Sequence, residues 1–213
     1  RGFEASRVVL MVDGVRLNNL IYRAGHLQNV ITIDNAILDK VEILNGPAST
    51  MYGSDALGGV VSMYTRAPQL KTGNKTLIKG NTFFRYGLAN NELTGHAELN
   101  IGTQKFASLT AATYSKFGDL KMGGAQNPFY NKFGERPFYA DRIDGRDTLI
   151  PNNNPLLQKF SGYTQYDILQ KFLLKQNEYL QHQLNLQFSN SSNVPRYDRL
   201  TDPKGSGLNS AEW

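Results

Sequence analysis

The sequence predicts a mixed α/β segment over residues 1–70, followed over residues 71–213 by long antiparallel strands of the transmembrane β-barrel kind. Three observations point there. Near residue 70 the apolar residues change from short irregular groups to sustained alternation. The alternating segments run about ten residues or more, longer than the roughly 5–6 of soluble sheets and close to the 9–11 that a tilted membrane strand needs. The links between them are unequal. Residues 104–106 and 176–181 are short, whereas residues 118–162 form one long polar stretch rich in Gly, Pro and Asn. Membrane barrels show that asymmetry between short turns on one side and long loops on the other.

In chain order, residues 7–12 (RVVLMV) read as a short apolar strand. Asp13-Gly14 is a tight-turn pair, so residues 15–17 can return as its partner. Residues 18–30 are irregular and polar. Asp34 has the N-cap role for a short helix over residues 35–38. Residues 40–44 (KVEIL) alternate as a strand, and Gly46-Pro47 breaks it and presets a second short helix over residues 48–52, with Gly53 at its end. Gly58-Gly59 allows close backbone approach before a last strand, residues 60–65, and Pro68 ends the unit. Beyond it, residues 92–102 put Leu93, Ala97, Leu99 and Ile101 on one face and Glu92, Thr94, His96, Glu98 and Asn100 on the other. Residues 164–174 and 182–189 repeat the pattern, and residues 75–86 and 105–117 follow it more weakly.

Composition narrows the function classes. Hydrophobic residues make up 40% and charged residues 19%, which sets disorder aside. With no Cys, disulfides, thiolate metal sites and a cysteine nucleophile are excluded. The net charge of +5 comes from scattered Lys and Arg rather than a run, so no nucleic-acid partner is expected. No stretch approaches the roughly 18 apolar residues of a membrane helix, and Arg1-Gly2-Phe3-Glu4 does not read as a signal peptide. Ser49 and Ser54 have no partnered His–Asp arrangement, Asp144 and Asp147 lie without metal-type spacing, and three His are spread along the chain. The expectation is no enzyme, no resident cofactor and no metal cluster.

The run over residues 41–66, VEILNGPASTMYGSDALGGVVSMYTR, carries several spaced signals in one order: Glu42, Gly46-Pro47, Tyr52-Gly53 and Gly58-Gly59. Together with Arg1-Gly2-Phe3 and the VLMVDGVRL segment around Asp13 and Gly14, it resembles the plug of TonB-dependent outer-membrane receptors. The resemblance covers residues 1–67. It implies that residues 1–70 are the C-terminal half of a plug and residues 71–213 the first five to six barrel strands, with a long extracellular loop at about 118–162. The whole receptor would be a plugged barrel of about 22 strands in the outer membrane of a Gram-negative bacterium, facing lipid with its apolar side.

The resemblance further implies active uptake of a scarce ligand. Its energy would come from the TonB complex, which pairs with a segment upstream of Arg1 by strand addition. Asn45-Gly46-Pro47-Ala48-Ser49 departs from the pattern of the large glycan receptors that work with a surface lipoprotein. The chain looks more like receptors for haem, siderophores or cobalamin, and a lipoprotein partner is left open. Haem is placed first, as a transported ligand rather than a cofactor. His26 is the candidate iron ligand on the polar stretch 18–29, beside Tyr22 and Arg23. Tyr130, Arg136 and Tyr139 are candidates in the long loop, which also holds Phe133, Phe138 and Arg142. His96 and His182 lie on or beside strands and read as structural, and Arg196, Asp198 and Arg199 suit a charge network on the lumen wall. The competing classes are a passive porin or adhesin barrel and a soluble β-rich enzyme.

Overall fold

The computed structural model describes residues 7–17, 32–53, 56–73, 75–125, 128–129, 132–193, 203–204 and 207–208. The chain forms two compact units. One holds Arg1–Asn81, His96–Thr113 and Asp167–Ser189, and the other Thr82–Gly95, Tyr114–Tyr166 and Asn190–Trp213.

In the first unit, β1 (Val8–Val12) turns at Asp13-Gly14 into β2 (Val15–Arg16), with Val12 opposite Val15. Asp13 and Gly14 have φ of 48° and 80°, both positive as a type I′ hairpin turn requires. Asp34 caps a single 3₁₀ turn, Asn35–Ile37, accepting from the Ala36 N–H at 2.8 Å. The expected helix over 35–38 is shorter than predicted because Leu38 already opens β3 (Leu38–Asn45). A single α turn, α1 (Ser49–Tyr52), follows, and then β4 (Gly59–Thr65). The four strands form one mixed sheet, β2-β1-β4-β3, in which β1 and β4 run parallel and β3 and β4 antiparallel.

Central position explains the burial of β4. Val60 and Met63 are buried on opposite sides of the sheet, Val60 with Val9 and Ala56, and Met63 with Leu10, Val12 and Ile33. Gly59 shows why the glycine pair matters. Its φ is +144°, and a Cβ there would lie 2.5 Å from the Leu44 carbonyl oxygen on β3.

The predicted alternating segments become β5 (Leu77–Gly87), β6 (Glu92–Gly102) and β7 (Phe106–Phe117). Inside the long loop lie β8 (Leu120–Lys121), β9 (Phe138–Ile143), β10 (Arg146–Pro151) and β11 (Leu157–Gln158). The last long strands are β12 (Tyr163–Lys175) and β13 (Gln181–Ser191). The long strands form one sheet in the order β13-β12-β7-β6-β5. On β6 the polar residues are the buried ones: Thr94, His96 and Asn100 are covered, whereas Leu93, Leu99 and Ile101 are about 40% exposed. On β12, Gln165, Asp167 and Lys171 are buried and Tyr166, Ile168 and Leu174 exposed. A soluble sheet does the reverse, so the outward face suits hydrocarbon and the inward face a polar filling. No helix among the described residues is long and apolar enough to cross a membrane, which leaves strands unaddressed.

The second unit adds detail to the long loop: β9 and β10 make a six-pair hairpin around Asp144-Gly145, whose φ values of 48° and 77° repeat the Asp13-Gly14 turn. β8 pairs with β11 at the base of the loop.

Candidate functional site

The first unit brings the plug-like sheet against the inward face of the long strands through polar side chains. Asp13 is the densest point. The hairpin turn sets its carboxylate beside the end of β4, where Oδ1 accepts from the Thr65 N–H at 2.8 Å and Oδ2 from the Thr65 hydroxyl at 2.6 Å. Two wall strands supply the remaining donors: Lys171 Nζ on β12 at 2.8 Å and Asn185 Nδ2 on β13 at 2.8 Å, both to Oδ2. The Lys171 side chain is 1% exposed and that of Asp13 19%. Lys171 Nζ also donates to the Thr65 carbonyl at 3.4 Å, so the covered ammonium group has two acceptors from the inner sheet and its turn. Burial pushes the Asp13 carboxyl up. The Lys171 ammonium and the Thr65 donors outweigh that and hold it below its ordinary range.

A second contact starts at Asp34. Its Oδ1 caps the 3₁₀ turn, and its Oδ2 accepts from the Thr113 hydroxyl on β7. Thr113 Oγ1 also lies 2.7 Å from His96 Nδ1 on β6. A hydroxyl has one proton, and here it goes to Asp34, so the network assigns the Nδ1 proton to His96. Ile37, Ala111 and Leu169 pack into a buried apolar cluster in the same unit.

A third contact pairs Arg66 Nη1 with Glu98 Oε2 at 2.6 Å. A fourth matches Gln69 backbone to the Asn100 amide, N–H to Oδ1 at 2.8 Å and Nδ2 to the carbonyl at 3.2 Å, while Lys79 Nζ donates to Gln69 Oε1 at 2.7 Å. Each of the five wall strands thus gives the segment between Asp13 and Gln69 at least one polar side chain: Lys79, Glu98, Thr113, Lys171 and Asn185. The inward polar residues are occupied by protein along these contacts.

Of the sequence-predicted plug residues, Asp13 and Gly14 form the turn just described. Glu42 lies on exposed β3, paired with Lys40 at 2.7 Å, and Lys40 sits 4.5 Å from the Tyr64 ring centre. Gly46 and Gly53 hold positive φ on either side of the Pro47–Tyr52 stretch, and the Gly58 N–H donates to the Arg7 carbonyl at 2.7 Å. His182 is exposed at the start of β13, with Nε2 2.9 Å from Gln176 Oε1.

The ligand candidates separate. His26, Tyr22, Arg23 and Tyr130 lie outside the described residues, as do Arg196, Asp198 and Arg199. Arg136 lies two residues before β9. Its backbone N–H donates to the Pro155 carbonyl at 2.7 Å, and its own carbonyl accepts from Asn152 Nδ2 at 2.9 Å. Tyr139 sits on β9 in a T-shaped contact with Phe160, ring centres 5.6 Å apart, and Lys159 Nζ stands 4.2 Å from its ring. Among the described residues no group of three His, Asp or Glu could hold a metal ion.

Sequence reasoning did not single out Lys171, Asn185, Glu98 or the Asp34–Thr113 pair as site residues. Lys171 had a visible signal, a charge that shares the inward register of its strand with Gln165 and Asp167. Its partner 158 residues away had none.

Comparison with known proteins agrees with this architecture. Residues 1–60 match the family model described as TonB-dependent Receptor Plug Domain. A vitamin B12 transporter from Vibrio vulnificus is 37% identical over 210 residues, 98% of this chain; the chain spans 27% of the length of that relative. The ferric enterobactin receptor of Pseudomonas aeruginosa is similar in fold, with a TM-score of 0.58 at 16% identity, covering 96% of this chain and 27% of the receptor. A siderophore receptor from Acinetobacter baumannii gives a TM-score of 0.51 at 16% identity over 87% of this chain and 24% of its own. Residues 1–60 are a TonB-dependent receptor plug domain, and the long strands that follow are similar in fold to part of the barrel of such receptors.

Proposed function

We propose that the receptor containing this chain takes up a scarce ligand across the outer membrane of a Gram-negative bacterium, driven by the TonB complex. The observation that carries the reading is the use of the wall's inward polar side chains by the plug segment rather than by a water-filled lumen. A passive porin would leave them to solvent, and an adhesin barrel has no use for a filling with this many specific contacts. The reading contains no catalytic step. The exposed apolar residues of β6, β12 and β13, among them Leu99, Ile168 and Leu186, are its lipid-facing surface.

A corrinoid is the first ligand, supported by 37% identity to a vitamin B12 transporter across nearly the whole chain. Haem is the second, favoured by His26 with Tyr22 and Arg23 in the polar stretch 18–29 and by Tyr130, Arg136 and Tyr139 in the long loop. The test is titration of the detergent-purified full-length receptor with cyanocobalamin, with haem and with ferric enterobactin. Saturable cyanocobalamin binding alone supports the first reading. A shifted Soret band that changes in His26→Ala moves haem to the front. Saturable ferric enterobactin binding alone overturns both ligand readings, and binding of none of the three overturns the uptake assignment for these ligand classes.

A further inference from the structure

At their short-turn rim the long strands end in a group of lysines. Lys71 and Lys75 lie in the link from the inner sheet to β5, Lys105 in the turn from β6 to β7, and Lys175 at the end of β12. Among the described residues of these links and of the turn after β12, Glu178 is the one acid. Backbone and amide bonds tie the segments together. The Lys71 N–H donates to the Thr103 carbonyl at 2.9 Å, the Lys175 N–H to the Lys105 carbonyl at 2.7 Å, and Gln104 Nε2 to the Gly73 carbonyl at 3.1 Å. Between the first link and the β6–β7 turn opens a cavity of about 400 Å³, lined by Gly73, Lys75, Thr76, Thr103, Gln104 and Lys105. Neither the Lys75 nor the Lys105 ammonium has an ion-pair partner among the described residues, and the Thr76 hydroxyl has no hydrogen bond there. Two unneutralised cations and a spare hydroxyl on one cavity make a site for an anion, and lysine is a common phosphate binder.

We propose that this cavity holds the phosphate of an anionic phospholipid, with Lys75 and Lys105 as its counter-charges and Thr76 as a further donor. The neighbouring surface favours a lipid over free phosphate. Phe106, next in sequence to Lys105, is 43% exposed on the outward face and stacks on Phe172 of β12 with ring centres 6.1 Å apart. Aromatic rings on a membrane protein gather at headgroup level, which sets the cavity at the depth of lipid phosphates. Ile78 and Ile101, 68% and 41% exposed, offer the acyl chains an apolar path from the same rim. A zwitterionic headgroup would bring its own cation to a site that already holds two, so an anionic headgroup is preferred. The proposal rests on the barrel reading, which turns this rim towards the periplasmic leaflet. Its test needs neither a transported ligand nor TonB, so it can fail while the uptake assignment stands.

The test titrates phosphatidylglycerol, phosphatidylethanolamine and inorganic phosphate separately into the detergent-purified full-length receptor and counts bound molecules by native mass spectrometry. The native receptor binds phosphatidylglycerol more tightly than phosphatidylethanolamine, and inorganic phosphate displaces it only in large excess. The Lys75→Gln, Lys105→Gln double variant binds phosphatidylglycerol on the order of thirtyfold more weakly, roughly a factor of five for each lysine. Lys121→Gln, on β8 in the long loop, keeps native binding. Thr76→Val gives a smaller loss without removing charge, and heat-dependent gel mobility checks that each variant has an intact barrel. Equal binding of phosphatidylglycerol by the native receptor and the double variant overturns the site. Inorganic phosphate that competes at equal concentration overturns its assignment to a lipid, and phosphatidylethanolamine bound as tightly as phosphatidylglycerol overturns the anionic headgroup.

Discussion

Replacing Gly59 by Ala tests how the plug sheet is built. At φ +144° an L side chain is strained, at a cost of about 1–3 kcal/mol. The new Cβ would stand 2.5 Å from the Leu44 carbonyl oxygen, and ordinary contact begins near 3.4 Å, so the two must separate by about 0.9 Å. That oxygen belongs to the backbone of β3, whose register pairs Leu44 with Val60 and Asn45 with Gly59. It cannot move alone, and overpacking of this kind adds about 1–3 kcal/mol. The sum, about 2–6 kcal/mol, is large beside the stability of a domain. In a urea titration with a slope of roughly 1–3 kcal/mol per molar, the midpoint of plug release falls by on the order of 2 M. The assay reads plug release by protease cleavage in the full-length receptor, with gel mobility checking the barrel. Gly46→Ala, with positive φ but nothing within 4 Å, should shift less, and Gly95→Ala, with neither, should shift least. A native midpoint for Gly59→Ala, or a reversed order in the series, refutes this account of the sheet.

Three further outcomes follow from the same contacts. Thr113→Val removes the hydroxyl between Asp34 and His96 at a buried position and should destabilise the plug by about 1–3 kcal/mol, read as a lower urea midpoint of release, more than Thr110→Val at the exposed Gln170 contact. Asn152→Ala deletes two bonds donated to the Arg136 and Leu157 carbonyls and one accepted from the Asn154 N–H; hydrogen exchange over residues 136–157 should quicken while β12 keeps its protection. Asp13 titrates below its ordinary value in the folded plug, so its contribution is complete above the unfolded carboxylate value of about 3.9 and is lost as pH falls through the lower folded value. The gap between native and Asp13→Asn midpoints should therefore stay constant from pH 8 to about pH 4 and close only below it. A gap that closes near neutrality would point to another titrating group.

Much of the fold was legible because its signals are local. The change of period near residue 70 marked the start of the long strands, and the inversion of burial on β6 followed from the alternation of Leu93, Leu99 and Ile101 with Thr94, His96 and Asn100. Asp13-Gly14 announced its turn by dipeptide chemistry alone. Asp144-Gly145 carries the same chemistry, and the β9–β10 hairpin around it was hidden by the polar composition of the loop, which reads as irregular when residues are counted rather than paired. The short helix over 35–38 was over-read because Asp34 signals only where a helix begins, while its length is decided by β3 pairing with β4. The plug–wall contacts were the least legible. Asp13 and Lys171 are 158 residues apart, and nothing local in either says that they meet. The inward register of Lys171 predicts a partner without naming one.

Uptake of radiolabelled cyanocobalamin into cells that express the full-length receptor as their sole corrinoid receptor tests the central claim most directly, compared with and without a functional TonB complex. The account predicts accumulation that depends on both the receptor and TonB, with surface binding retained when TonB is absent. Accumulation that persists without TonB would contradict it, because a plug held by Asp13, Lys171 and Asn185 would then not be closing the barrel.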